Sequence, residues 1–213
     1  MVAGVDMYYP DAIRPALEVI GAAPGRKHVS GIYMMVFPQA TFFFADCTVN
    51  IDPDAETLAE IASVTAQFVT RLGLAPRVAM LSFSNFGSVK HPEVEKVQRA
   101  VALLHEREPG LEVDGEMQAD TAVVERILTR TYPFARLKSP ANVLIFPGLD
   151  AANIAYKLLD RLGGAQAIGP ILVGMSAPVH LLQRGAEVND IVNMAVIAAV
   201  DAQELSRHAR PHS

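Results

Sequence analysis

Apolar residues recur along this chain with two periods, one close to 3.6 and one close to 2, and from its middle onwards the two alternate. Helical spacing appears first at Ile13, Leu17 and Ile20 within Asp11 to Ile20, closed by Gly21 and the turn Ala23-Pro24-Gly25. His28 to Phe37 and Thr41 to Val49 are rich in β-branched and aromatic residues, and the short Pro38-Gln39-Ala40 between them predicts an antiparallel hairpin. Asp52-Pro53 reads as a capping carboxylate followed by proline at the first helical position. Leu58, Ile61, Thr65, Phe68 and Leu72 then continue at helical spacing to Gly73. Beyond it the pattern predicts strand Arg77 to Ser82, helix Pro92 to Arg107, strand Leu111 to Val113, helix Gln118 to Thr131, strand Asn142 to Phe146, helix Asp150 to Leu162 and strand Ala167 to Val173. A last helix, Val188 to Ser206, carries Ile191, Met194, Ala195, Ala198 and Ala202 on one side, a stripe suited to core packing. The tail from Arg207 to Ser213, with Pro211 in it, is expected to fray. Such alternation predicts an α/β protein whose strands run parallel through helical crossovers, the hairpin being the one departure.

Composition narrows the chemistry. A 51% apolar content over 213 residues is ample for a packed core. The absence of a long apolar run or a secretory pattern predicts a cytoplasmic protein without a membrane partner. A formal net charge of −5 leaves no clustered cationic surface for nucleic acid, so any phosphate must be held by a few local cations and backbone amides. Cys47, the single cysteine, reads as strand packing, and the six histidines lack metal-ligand spacing, so no metal is expected on this chain. It also carries neither a Walker loop nor a Gly-x-Gly-x-x-Gly fingerprint, which argues against NADP binding here.

Four corners could carry a site. Ser82-Phe83-Ser84-Asn85-Phe86-Gly87-Ser88 leaves a strand and precedes a helix; its small hydroxyls and glycine fit an anion-holding loop and a plain polar crossover equally well. Asp114-Gly115-Glu116-Met117-Gln118-Ala119-Asp120 places three carboxylates around an expected turn, as helix caps or as metal or acid–base groups. In Pro147 to Asn153, Asp150 reads as a cap or a ligand. Gln183-Arg184-Gly185 followed by Asp190 reads as a surface ion pair or as an anion clamp beside a general base.

Together these corners resemble the phosphate acetyl/butyryltransferase family. The likeness rests on Ala12-Ile13-Arg14-Pro15-Ala16-Leu17, Ala79 to Ser88, Val113-Asp114-Gly115-Glu116, Ile145-Phe146-Pro147, Ala152 to Lys157, Gly169-Pro170-Ile171-Leu172 and Asp190 to Asn193. Within the family the chain is most similar to the C-terminal domain of bacterial NADP-dependent malic enzymes. That finer likeness rests on Phe44-Ala45-Asp46, Asn50-Ile51-Asp52-Pro53, Ser84 to Ser88, Leu149 to Ile154 and Val192-Asn193-Met194.

The resemblance implies the isocitrate/isopropylmalate dehydrogenase-like α/β fold, a mixed, mostly parallel sheet flanked by helices. It also implies a compact α/β domain over 23–178, with 1–22 and 179–213 as elements of a second, split and N-terminally truncated domain. Family members carry a further N-terminal portion of roughly a hundred residues, so the chain is expected to be part of a longer protein. In active transferases the site like Gln183-Arg184-Gly185 reads Ser-Arg-Gly, with arginine holding phosphate, serine stabilising the transition state and an aspartate at the place of Asp190 helping to deprotonate the coenzyme A thiol. Gln183 replaces that serine here, and Tyr8, Tyr9 and Ala12 stand where small hydroxyl residues are usual.

The expectation is therefore a regulatory domain of a malic enzyme that binds acetyl-CoA or CoA, and phosphate or acyl phosphate, and assembles as a homo-oligomer. NADP, a divalent metal and the oxidative decarboxylation of malate are placed on a missing part. The alternatives are an active phosphate acetyl/butyryltransferase and a domain that only dimerises. The resemblance assigns Arg184, Asp190 and Gln183 to catalysis, possible or vestigial, and Arg14, Ser82, Ser84, Asn85, Gly87 and Ser88 to ligand binding.

Overall fold

Why the sheet has two dry faces is visible in single strands of the computed structural model, which describes residues 1–208. In β4 (Arg77–Leu81), Val78 and Met80 enter one core while Ala79 and Leu81 enter the other. Phe43 and Phe44 of β3 (Thr41–Ala45) and Ile32 and Tyr33 of β2 (Ser30–Val36) divide in the same way. Each central strand is thus apolar on both sides, as a sheet covered on both faces requires.

Among the described residues eight strands form one sheet in the order β1-β8-β7-β2-β3-β6-β4-β5. The others are β1 (Val2–Gly4), β5 (Glu112–Met117), β6 (Val143–Ile145), β7 (Gln166–Val173) and β8 (His180–Leu182). The β1/β8, β3/β6, β6/β4 and β4/β5 pairs are parallel, so the sheet is mixed and mostly parallel. The β2–β3 hairpin is antiparallel as expected, Val36 facing Thr41 across the Pro38 turn. The departure from parallel order is wider than the alternation predicted, because β8 and β1 run against the other strands as β2 does, which leaves β7, in the common direction, between two antiparallel neighbours.

One face is covered by α2 (Ala55–Arg71), α3 (Pro92–Arg107) and α7 (Val188–His208). Wedged between sheet, α3 and α7, α2 is buried nearly all round, and the Arg71–Asp201 ion pair at 2.6 Å ties it to α7. The opposite face carries α4 (Ala119–Val123), α5 (Glu125–Thr131) and α6 (Leu149–Leu162), while α1 (Tyr9–Val19) packs Ala12 and Ala16 against Leu172 and Leu181.

Several local expectations change. The α2 cap is Asp54, whose carboxylate accepts from the Thr57 amide at 2.8 Å, and not Asp52. The expected helix 118–131 is two helices meeting at Val124, where the backbone is extended. β5 continues through Asp114-Gly115-Glu116, so those residues lie in a strand and not in a turn. The α6 cap position is Gly148, with Asp150 in the first turn. The fraying expected at the C-terminus concerns residues that lie, from Ala209 onwards, outside the described ones.

Candidate functional site

The clearest cleft joining candidate residues opens where β8 turns into α7, a space of about 470 Å³ lined by Gln183, Arg184, Glu187 and Asp190 together with Tyr33, Tyr156 and Lys157. Its walls follow from the turn after β3. The Asp46 carboxylate, buried there, accepts the amides of Gly31, Thr48, Val49 and Asn50, which folds the turn tightly. Thr48 in that turn bonds the Tyr9 hydroxyl at 3.2 Å, and the Cys47 carbonyl accepts from Asn153 at 3.4 Å. The starts of α1 and α6 are fixed to one point, which sets Tyr8 and Tyr156 about the cleft.

Tyr33 and Tyr156 stack with ring centroids 4.0 Å apart and planes 16° from parallel. Burial, reinforced by Tyr156 beside it, pushes the Tyr33 phenol well above its ordinary range, so it is held protonated. Its hydroxyl oxygen accepts a hydrogen bond from Gln183 Nε2 at 2.7 Å. Arg184 lies with its guanidinium carbon 4.6 Å from the centre of the Tyr8 ring, and Lys157 Nζ lies 5.1 Å from that of Tyr156. Asp190 is three residues into the start of α7, and its Oδ2 accepts from the Glu187 amide at 2.9 Å, half of a capping box. Arg184 and Asp190 form no ion pair. A guanidinium, an ammonium and a carboxylate therefore line one cleft that opens towards solvent.

The structure brings together Gln183, Arg184 and Asp190. Arg14 lies on the exposed side of α1, outside the lining of the cleft. Ser82, Ser84, Asn85, Gly87 and Ser88 leave β4, five strand positions from β8, on the order of 24 Å along a sheet with strands about 4.8 Å apart.

That loop already holds a carboxylate of the chain. Glu116, buried on β5, accepts the Ser84 hydroxyl at 2.7 Å, the Gly87 amide at 2.7 Å and the Gln98 side-chain amide at 2.9 Å. Ser88 Oγ accepts the Asn85 amide, and Asn85 Oδ1 accepts the Gln118 amide. Asp114, the other buried carboxylate of β5, accepts the amides of Gly115, Arg136 and Leu137. These carboxylates anchor loops, and among the described residues no group of three or more His, Cys, Asp or Glu side chains is arranged to hold a metal ion.

Sequence reasoning did not bring Tyr33 and Tyr156 into the site. Tyr156-Lys157 stood inside one of the segments that carried the resemblance. Nothing local in the sequence pairs a strand tyrosine with a helix tyrosine across the core.

Similarity to known proteins sharpens the picture. The family described as phosphate acetyl/butaryl transferase matches residues 1–199. The chain is 44% identical over 202 residues to a phosphate acetyltransferase of Bacillus subtilis and 45% identical over 210 residues to one of Acetivibrio thermocellus, with 95% of the chain covered in each case. It spans 62% and 63% of the length of those relatives. Among solved structures, a phosphotransacetylase from Streptococcus pyogenes matches with a TM-score of 0.91 at 42% identity, covering 96% of this chain and 63% of that one. A phosphotransacetylase from Staphylococcus aureus matches with a TM-score of 0.88, also at 42% identity, covering 94% of this chain and 62% of that one.

These findings overturn the expectation of a malic-enzyme fragment. Relatives 42% to 45% identical along nearly the whole chain are phosphate acetyltransferases. The expected NADP, divalent metal, malate oxidation and allosteric role fall with that parent. By sequence and by fold, the chain belongs to the phosphate acetyl/butyryltransferase family.

Proposed function

We propose that the cleft between β8 and α7 is an acyl-transfer site, at which an acetyl group passes between phosphate and the thiol of coenzyme A. The observation that carries this reading is the grouping of Arg184, Lys157 and Asp190 around one cleft at the start of a long helix. The guanidinium supplies a forked donor for a phosphoryl group, and Lys157 a second positive charge. In the transfer direction that consumes acetyl phosphate, the thiol sulfur attacks the acetyl carbonyl carbon. The C–S bond forms, the C–O bond to phosphate breaks, and phosphate leaves with the electron pair. The thiol proton passes to Asp190, whose Oδ1 takes no hydrogen bond among the described residues and is left to receive it. Arg184 opposes the charge that collects on the carbonyl oxygen and the departing phosphate.

Coenzyme A, acetyl-CoA, phosphate and acyl phosphate are thus the ligands of this reading, with a homo-oligomer as the assembly and the cytoplasm as the compartment. The division into a compact unit over 23–178 and flanking elements of a second domain is part of the same proposal. So is kinship with the isocitrate and isopropylmalate dehydrogenases, supported by the mixed sheet with its antiparallel hairpin.

The test is thioester formation from acetyl phosphate and CoA, followed by absorbance. Arg184→Gln is expected to reduce kcat/KM by 10²-fold or more on the order of a lost transition-state donor, and Asp190→Asn to reduce kcat more than KM. Thioester formation left intact in both variants would remove the cleft from the reaction.

A further inference from the structure

Gln67 and Arg71 are four residues apart on α2, so their side chains follow one another along one stripe of the helix. That stripe faces a second, smaller pocket of about 120 Å³, closed by Arg26 from the loop before β2, Gly174 after β7, and Asp201 and Leu205 of α7. The space is that of about four water molecules, enough for a small oxyanion and too little for a nucleotide. The pocket is separate from the cleft. None of Lys157, Gln183, Arg184 and Asp190 lines it, and Asp201 lies about 16 Å along α7 from Asp190.

Donors outnumber acceptors on its walls. Arg71 Nε donates to Asp201 Oδ1 at 2.6 Å, and the guanidinium carbon stands 5.7 Å from the centre of the Phe68 ring. Arg26 Nη1 and Gln67 Nε2 both donate to the Ser63 hydroxyl oxygen, each at 3.3 Å. The remaining N–H groups of the two guanidinium forks have no acceptor among the described residues. Two cations thus face one carboxylate, and the buried ion pair fixes the direction of Arg71. Guanidinium forks set in this way match the oxygens of an oxyanion.

Asp201 restricts which oxyanion fits. Its side chain is 4% exposed, and its Oδ2 accepts no hydrogen bond among the described residues. A buried carboxylate repels an anion that has lost every proton, whereas an anion that keeps an O–H can donate to it. We infer that this pocket is an anion site separate from the cleft, for a small oxyanion that keeps an O–H, as inorganic phosphate does near neutral pH. Arg26, Gln67 and Arg71 donate to its bare oxygens, and Asp201 accepts from its hydroxyl. Bound there, the ion ties the loop before β2 and α2 to α7, the helix that carries Asp190. The inference goes beyond the acyl-transfer reading and stands without it.

The experiment is titration with inorganic phosphate and, separately, with sulfate, which keeps no O–H. Proton–nitrogen NMR follows the Nε–H signals of Arg26, Arg71 and Arg184 in wild type, Arg26→Gln and Arg184→Gln. Phosphate is expected to shift Arg26 and Arg71 saturably in wild type and equally in Arg184→Gln, with sulfate about tenfold weaker for want of the donor to Asp201. Arg26→Gln is expected to weaken the Arg71 response about tenfold, the usual size of a hydrogen bond to a charged group, and to leave the Arg184 response as in wild type. The wild-type titrations need no variant to fold: phosphate that leaves Arg26 and Arg71 unmoved would overturn the inference, and so would sulfate that binds as well as phosphate, the mark of an unselective cationic surface. An Arg26 and Arg71 response lost in Arg184→Gln would report binding in the cleft instead, and an Arg71 response unchanged in Arg26→Gln would remove Arg26 from the site; either result overturns it.

Discussion

His180 offers a measurable link between burial and pH. It lies on β8, fully buried, with neither ring nitrogen bonded among the described residues. Burial pulls its pKa down from 6.5 to about 4. The N-terminal ammonium and Arg71 push the same way, and Asp201 opposes them. An unfolded chain takes up the proton near the ordinary value, whereas the folded chain resists until the pH is much lower. The stability contributed by the neutral ring is therefore complete above about pH 6.5 and is lost as the pH falls towards about 4. At about 1.4 kcal/mol per pH unit the whole effect is about 3 kcal/mol, of which about 2 kcal/mol disappears between about pH 7 and about pH 5. Urea unfolding across that range, for wild type and for His180→Leu, measures it. The variant is expected to lose about 2 kcal/mol less than wild type over the interval. Parallel stability curves would refute the reasoning, because they would mean that the buried ring titrates alike in the folded and unfolded chain.

Two further predictions concern the loop after β4 and the backing of the tyrosine stack. Glu116→Ala removes the acceptor of the Ser84 hydroxyl, the Gly87 amide and the Gln98 amide. It should cost about 3 kcal/mol and speed hydrogen exchange at Gly87, and unfolding by urea with amide exchange checks both. Gly169→Ala brings a β-carbon within 2.7 Å of the Tyr33 ring and 2.9 Å of the Ile32 carbonyl oxygen, at a φ of +158°. It should destabilise the chain by about 2 kcal/mol and shift Tyr33 in near-ultraviolet circular dichroism.

What could be read in the sequence was local. The hairpin at Pro38 and the limits of α3, Pro92 to Arg107, follow from turn chemistry and periodicity, and both hold in the structure. β1 and β8 escaped because three residues are too few to show an alternating pattern. β7 runs in the same sense as β3, β4, β5 and β6, as the alternation predicts, and the reversed strands beyond the hairpin are the short β8 and β1. Asp114-Gly115-Glu116 has turn composition but is strand, because its carboxylates bind amides of neighbouring loops and so are satisfied inside the core. The grouping of Gln183, Arg184 and Asp190 was legible from short spacing. The loop after β4 looked equally ready for an anion, and only the fold reveals that Glu116 already occupies its donors. Tyr33 and Tyr156 come from distant parts of the chain, and their stacking is a tertiary fact without a local signature. The finer expectation of a malic enzyme failed because it rested on short segments, whereas relatives 42% to 45% identical along nearly the whole chain are phosphate acetyltransferases.

The most direct test of the acyl-transfer site is a crystal structure of the chain grown with acetyl phosphate. The account predicts the phosphoryl group in the cleft between β8 and α7, within hydrogen-bonding reach of Arg184 and Lys157, with Asp190 facing the acetyl carbon. Acetyl phosphate bound instead at the Ser82–Ser88 loop, with the cleft holding only solvent, would contradict it.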